Sequence, residues 1–137
     1  MFRESIFIDT GAWVALADKD DSCHHKASAV YPSLLRTHRS LTTSNLVIAE
    51  TYILILNELG HTPAIDFLEK IKASPRILRI YSTGELEADA QDLLKKYADQ
   101  DFSYTDAVSF AIMKRHDIKK AFCFDKHFIT AGFVSVP

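Results

Sequence analysis

The feature that most limits the fold of this chain is a short, fully apolar run close to its start. Ile6, Phe7 and Ile8 are consecutive, and the run ends on Asp9. A strand that is apolar on both faces is typical of a parallel sheet covered by helices on both sides, whereas a strand with one wet face alternates apolar and polar residues. Further strands are predicted at 40–44, 77–81, 121–124 and 133–136.

Helical patterns fill the intervals between these strands. Apolar residues recur from Ser22 at helical spacing, and Pro32 is predicted to kink or interrupt that helix. The other predicted helices are a short one over 11–17, one capped by Asn45 that runs to about Leu59, one opened by Thr62 and Pro63, and one opened by a capping box of Ser82 and Glu85. Alternating strands and helices predict an α/β fold, a three-layer α/β/α sandwich with a mostly parallel central sheet.

Composition and charge narrow the class of protein. With 137 residues, 47% of them hydrophobic, the chain is predicted to form one domain over 1–137. A net charge of −2 argues against binding nucleic acid by bulk attraction, but it allows a local basic rim or a bound metal ion. The start has no signal-peptide pattern and no apolar run reaches about 18 residues, so we expect a soluble, cytoplasmic protein without a membrane span. Cys23 and Cys123 are predicted to be free thiols.

The segment from Asp101 to Ile118 is the strongest candidate for chemistry. Ser103 and Asp106 have the spacing of a capping box, and Lys114, Arg115 and His116 close the last turn of the predicted helix. An acidic residue in a first turn stabilises a helix by only about 0.3–1 kcal/mol and is common. Taken alone, Asp106 is therefore better explained as a structural residue than as a catalytic one.

Three other acids in apolar surroundings change that interpretation. Asp9 and Asp125 each end a predicted strand, and Glu50 lies within a helix that is apolar nearly all round and is therefore predicted to be buried. Ligands of open parallel sheets gather at the carboxyl ends of the strands, where Asp106 can also face. Two like charges about 4 Å apart repel by about 4 kcal/mol at an effective dielectric of about 20, so an empty cluster would have raised pKa values or would splay apart, and a divalent cation removes this conflict. Oxygen ligands favour Mg²⁺ or Mn²⁺.

These acids lie in four segments that resemble the PIN domain family, the nuclease fold that includes the VapC-type ribonuclease toxins. The segments are FIDTGAWVAL, SNLVIAETYILI, DQDFSYTDAVSFAIMKR and FCFDKHFITAGF, and they cover almost the whole chain in the family order. The resemblance implies that Asp9, Glu50, Asp106 and Asp125 are the catalytic acids that hold Mg²⁺ or Mn²⁺. It also implies supporting roles for Thr10, Asp101 and Thr105. Phe124 departs from the family, because many relatives have a small hydroxyl residue there.

The resemblance implies a divalent-metal-dependent ribonuclease, in which metal-activated water attacks the phosphodiester. It further implies an RNA substrate, a small antitoxin protein as partner, and a homodimer. Lys114, Arg115, Lys126 and His127 are the predicted substrate contacts, with a solvated basic face as the alternative for each. His38, His61 and His116 are predicted to lie at helix ends facing solvent.

Three other functions compete with this one. A PIN-like module that only binds RNA or a protein would keep its acids without catalysis. A phosphoacceptor receiver domain also gathers carboxylates and Mg²⁺ at strand ends, but it gives Glu50 no role. A phosphatase with a D-x-D strand end lacks its second acid here, because Asp9 is followed by Thr10 and Gly11. The sequence contains no G-x-S-x-G, Walker or G-x-G-x-x-G pattern.

Overall fold

A computed structural model describes residues 4–137 of the chain. Residues 1–3, part of the start that was interpreted as lacking a signal peptide, lie outside the described residues. The elements, in chain order, are β1 (Ile6–Ile8), α1 (Thr10–Ala17), α2 (His24–Thr37), β2 (Leu41–Ser44), α3 (Asn45–Leu59), α4 (His61–Ala73), β3 (Ile77–Ile80), α5 (Gly84–Lys96), α6 (Tyr104–Arg115), β4 (Lys120–Phe122), α7 (His127–Thr130) and β5 (Val134–Val136).

The strands form one parallel sheet in the order β3-β2-β1-β4-β5. β1 is central and fully buried, as its unbroken apolar sequence predicts. The predicted parallel α/β architecture is confirmed. Within the described residues, no helix is both long and apolar enough to cross a membrane.

Helices cover both faces of the sheet. On one face, the indole Nε1 of Trp13 in α1 donates to Thr43 Oγ1 at 3.3 Å, and the ring of Tyr31 in α2 stacks on Phe122. On the other face, Phe128 of α7 packs on Phe7 and, with ring centroids 5.0 Å apart, on Phe110 of α6. The core therefore consists of two apolar layers, one on each face of the sheet. Asp9 follows directly at the carboxyl end of the central strand, β1.

Several helix starts differ by one or two residues from the predicted ones. Ser44, not Asn45, caps α3, because Ser44 Oγ accepts from the Val47 N–H at 3.1 Å. The Asn45 amide oxygen instead accepts from the Ser82 N–H at 2.8 Å and ties the start of α3 to the loop after β3. Thr83 caps α5, so the predicted capping box of Ser82 and Glu85 is wrong. α4 begins at His61 after Gly60, whose φ of 97° suits glycine, and Thr62 is thus inside the helix.

Pro32 was predicted to kink or interrupt its helix, and α2 continues through it without an interruption. Two burial predictions are wrong. α3 is not buried all round, because it packs on α1 and α4 with one side and leaves Ile53 and Leu54 46% and 41% exposed. His38 is only 7% exposed, its imidazole Nδ1 lies 3.3 Å from the Leu34 carbonyl, and its own carbonyl accepts from Arg76 at 2.7 Å. His61 and His116 are exposed as predicted, and both cysteines are free thiols.

Candidate active site

Two of the candidate acids lie at the carboxyl ends of neighbouring strands. Asp9 follows β1, and its backbone N–H donates to the Phe122 carbonyl of β4 at 3.0 Å. Asp125 lies a few residues beyond the end of β4. Because β1 and β4 pair in parallel, their carboxyl ends lie on the same side of the sheet. The Asp9 side chain remains within the protein, with only 4% of the residue exposed.

The electrostatic surroundings of Asp9 include the other three candidate acids. Burial, followed by the charges of Asp125, Asp106 and Glu50 in that order, raises the pKa of the Asp9 carboxyl from 3.8 to about 8. A hydrogen bond from the Thr10 backbone opposes this shift. The four predicted acids are therefore near enough to interact electrostatically, and Glu50, half-buried on α3, contributes the smallest of these charge effects. Among residues 4–137, the group of ligand atoms within 4.8 Å of one another belongs to Asp106, Asp125 and His127, and it does not include Asp9 or Glu50.

The Asp106 carboxylate is oriented by its neighbours. Ser103 and Asp106 form the predicted capping box, in which the Asp106 N–H donates to Ser103 Oγ at 3.0 Å and the Ser103 N–H donates to Asp106 Oδ2 at 3.1 Å. The same Oδ2 contacts His127 Nδ1 at 2.8 Å. Among residues 4–137, Asp106 Oδ1 has no hydrogen-bond partner. One oxygen of this carboxylate thus serves the fold and the other is available for a ligand.

The capping box gives a testable stability effect. Ser103→Ala removes the acceptor for the Asp106 N–H, and we expect the free energy of unfolding to fall by about 1 kcal/mol. Urea unfolding monitored by circular dichroism measures the change. Ser103→Thr keeps a hydroxyl at the cap and is the matched control. Equal midpoints for Ser103→Ala and the wild type would show that the cap does not stabilise α6.

Asp125 and His127 complete a compact cluster with Asp106. The His127 backbone N–H donates to Asp125 Oδ1 at 2.9 Å, while its ring contacts Asp106. One ligand atom from each of the three residues lies within 4.8 Å of the others. His127 was predicted as a substrate contact, and its direct contact with Asp106 was missed. The signal in the sequence is its position two residues after Asp125, at the start of a short helix.

The supporting residues lie in different environments. Thr10 Oγ1 is buried and has no hydrogen-bond partner within the described part of the chain. An unpaired buried hydroxyl is costly, so its place beside Asp9 is consistent with a ligand or an ordered water there. Thr105 is half-buried and Asp101 is exposed. Carboxylate oxygens, a hydroxyl and one imidazole are a donor set that fits a divalent cation such as Mg²⁺ or Mn²⁺.

The predicted basic contacts divide into two groups. Lys126 is exposed and adjoins Asp125. Lys114 and Arg115 lie in the last turn of α6, roughly 12 Å along the helix axis from Asp106. Arg115 is also engaged, because it forms ion pairs with Asp89 at 2.6 Å and Glu85 at 3.2 Å. The structure therefore gives the predicted substrate role of Lys126 more support than those of Lys114 and Arg115.

Comparison with known proteins identifies the fold family. Residues 6–134 match the PIN domain. The chain belongs to the PIN domain family. It is 34% identical over 131 residues to the 23S rRNA-specific endonuclease VapC20 of Mycobacterium tuberculosis, with 96% of this chain and 97% of the relative covered. The resemblance inferred from the sequence is confirmed.

Two solved structures have a fold similar to the described one. The crystal structure of Mycobacterium tuberculosis VapC20, described as a Sarcin-Ricin loop cleaving toxin, superposes with a TM-score of 0.87 at 33% identity and covers 94% of this chain and 96% of that chain. FitAcB from Neisseria gonorrhoeae superposes with a TM-score of 0.66 at 18% identity, covering 96% of each chain, which is a likeness of fold alone.

Proposed function

We propose that this PIN protein is a divalent-metal-dependent endoribonuclease and the toxin of a toxin–antitoxin pair. The observation that carries the proposal is the buried Asp9 carboxyl, whose pKa is about 8 and is raised by three further acids. Such a set is poorly suited to an empty site, because each ionised member opposes the others. The similarity to VapC20 over nearly the full length supports RNA as the substrate.

Each residue of the site would have its own role in binding the metal ion and in catalysis. When bound, Mg²⁺ or Mn²⁺ lowers the pKa of a water molecule and so supplies the hydroxide that attacks phosphorus. Asp9 and Asp106 would be the principal ligands, because Asp9 is buried among the other acids and Asp106 keeps Oδ1 available. Glu50 and Asp125 would be further ligands or would hold water, with Thr10 as support. Asp9 must lose its proton before it can act as a ligand, so metal binding is expected to release a proton.

The RNA itself is a narrower proposal. VapC20 is named for cleavage of 23S rRNA, and its structure is described as that of a Sarcin-Ricin loop cleaving toxin. At 34% identity, a ribosomal RNA stem-loop is the first substrate to test for this chain. Sequence-specific cleavage of RNA acts on single-stranded or loop nucleotides, whose bases can leave the stack.

The test is cleavage of a labelled ribosomal stem-loop by the purified protein with Mg²⁺, with Mn²⁺ and with a chelator. We expect internal cuts with either metal and intact RNA with the chelator. Addition of excess metal to the chelated sample should restore cleavage. RNA that is bound but stays intact in every metal would contradict the enzyme and favour the alternative of a catalytically silent binding module.

The two groups of basic residues should differ in their effect on cleavage. Lys126→Ala removes an exposed cation next to Asp125, and we expect KM for RNA to rise several-fold because a phosphate contact is lost. Arg115→Ala is the matched control at the far end of α6, where the arginine is held by α5. Initial rates over a range of RNA concentrations separate KM from kcat. An equal change of KM in the two variants would show that Lys126 contributes no more to RNA binding than Arg115 does.

The partners follow from the toxin assignment. We propose a small antitoxin protein that covers the acidic site, and a homodimer in which the exposed residues Ile53 and Leu54 of α3 supply part of the contact. Exposed apolar side chains on one helix face support an interface of this kind. Light scattering of wild-type protein and of Leu54→Glu tests the dimer, since a buried glutamate in that contact should yield monomers.

A further inference from the structure

His127 connects two acids of the site through two different atoms. Its backbone N–H donates to Asp125 Oδ1 at 2.9 Å, and its ring Nδ1 lies 2.8 Å from Asp106 Oδ2. Asp106 opens α6 and Asp125 follows β4, so one residue joins segments that are distant in the fold. We propose that His127 is a positioning residue that fixes the Asp106 carboxylate with Oδ1 directed to the cation; this inference rests on the proposed metal site.

The hydrogen bonds of Asp106 lead to this assignment. Oδ2 has two partners, the Ser103 N–H at 3.1 Å and His127 Nδ1 at 2.8 Å. A carboxylate oxygen has about two lone-pair sites, so these two contacts fill it. Oδ1 has no such partner among residues 4–137. Asp106 would consequently bind a cation through Oδ1, with Oδ2 held by the protein.

The imidazole is itself held in place. Its ring packs edge-on against Phe102 with centroids 5.3 Å apart, and Phe102 packs in the same manner on Phe110 in the core of α6. An ionised carboxylate only accepts hydrogen bonds, so Nδ1 must carry the hydrogen in this pair. A ring fixed at its edge, at its nitrogen and at its backbone is suited to orient a neighbouring ligand. A mobile phosphate contact would need none of these constraints.

A direct metal bond from His127 is the competing role, because His127, Asp106 and Asp125 offer ligand atoms within 4.8 Å of one another. A positioning histidine keeps Nδ1 on Asp106 and has no nitrogen on the ion, whereas a ligand binds the ion through Nδ1 or Nε2. Groups that orient metal ligands are typically worth about 10–100-fold in metal affinity.

The experiment compares the affinity for Mn²⁺ of the wild type, His127→Asn and His127→Gln, measured by electron paramagnetic resonance of free Mn²⁺. The side-chain amide N–H of Asn can take the place of Nδ1, whereas the longer Gln presents its amide nearer to the place of Nε2. We expect Mn²⁺ binding to weaken about 10–100-fold in His127→Gln and to return to within a few-fold of wild type in His127→Asn. Circular dichroism and thermal unfolding check that each variant is folded.

Three results would overturn the inference. The first is wild-type affinity in both variants, and the second is equal weakening in both. The third is a ¹⁴N hyperfine coupling to Mn²⁺ in the wild type that disappears in the variants, which would make His127 a ligand. Wild-type protein that binds Mn²⁺ tightly but cuts no RNA would defeat the proposed nuclease and leave the role of His127 intact. Wild-type protein that cuts RNA while both variants bind Mn²⁺ normally would defeat only the role of His127.

Discussion

Asp9→Asn should stabilise the metal-free protein by roughly 5 kcal/mol at pH 9 and by very little at pH 4. The Asp9 pKa is about 8 in the folded protein against an ordinary value of 3.8. Between these values the folded state binds the proton and the unfolded state does not, so the wild type loses stability as pH rises from about 4 to about 8. The Asn side chain does not titrate, so the variant does not lose stability in this way as pH rises.

Urea unfolding in the presence of a chelator at pH 4, 7 and 9 measures the effect. Asp92→Asn, at an exposed position of α5, is the matched control and should leave the pH dependence of the wild type unchanged. Adding Mn²⁺ at pH 9 should stabilise the wild type more than Asp9→Asn, because the ion replaces the missing proton. If the free energy of unfolding changed with pH in the same way for the wild type and Asp9→Asn, the raised pKa of the Asp9 carboxyl would be refuted.

Asp106→Asn should reduce cleavage of RNA by roughly a thousand-fold while the protein remains folded. A bound metal ion contributes several kcal/mol of transition-state stabilisation, and the neutral amide is a much weaker ligand for it. The amide oxygen can still accept from the Ser103 N–H, so the cap of α6 is retained. Single-turnover cleavage with saturating Mg²⁺ measures the rate of the chemical step.

Asp99→Asn provides the matched control, because Asp99 is an exposed acid in the loop before the same helix. We expect wild-type rates for that variant and closely similar circular dichroism spectra for both. An Asp106→Asn protein with more than about a tenth of wild-type activity would remove Asp106 from the principal ligands. Loss of folding in Asp106→Asn would leave the rate uninterpretable, so the unfolding midpoint of each variant is measured first.

The sequence predicts the layers of this fold well and the helix ends less well. Three consecutive apolar residues in β1 require cover on both faces, and a parallel sheet with helices on either side supplies it. At the start of α3, Ser44 and Asn45 are both good capping residues. Asn45 is engaged elsewhere, because its amide oxygen accepts a hydrogen bond from the N–H of Ser82, which is far away in sequence. A local sequence pattern cannot predict a contact between residues so far apart in the chain.

The same reason explains what was missed around the site. That Asp9 and Asp125 lie together follows from a general rule of parallel sheets, so it was predictable. The contact between His127 and Asp106 depends on how α7 packs against α6, and no local spacing encodes it. His38 was predicted to face solvent because it follows a helix, whereas it is buried and its carbonyl accepts a hydrogen bond from Arg76, which precedes β3. The roles of these residues in catalysis stay predictions until the variants are measured.

The pairing of β1 with β4 also bears on how the protein is made. β1 leaves the ribosome well before its partner β4, since Asp9 and Asp125 are more than 100 residues apart in the sequence. Contacts between such distant segments form late and slowly in folding. A nascent chain therefore cannot close its acidic cluster before the residues that follow β4 have been synthesised. Under the proposed function, the chain has no nuclease activity until Asp125 has left the ribosome and reached the end of β1.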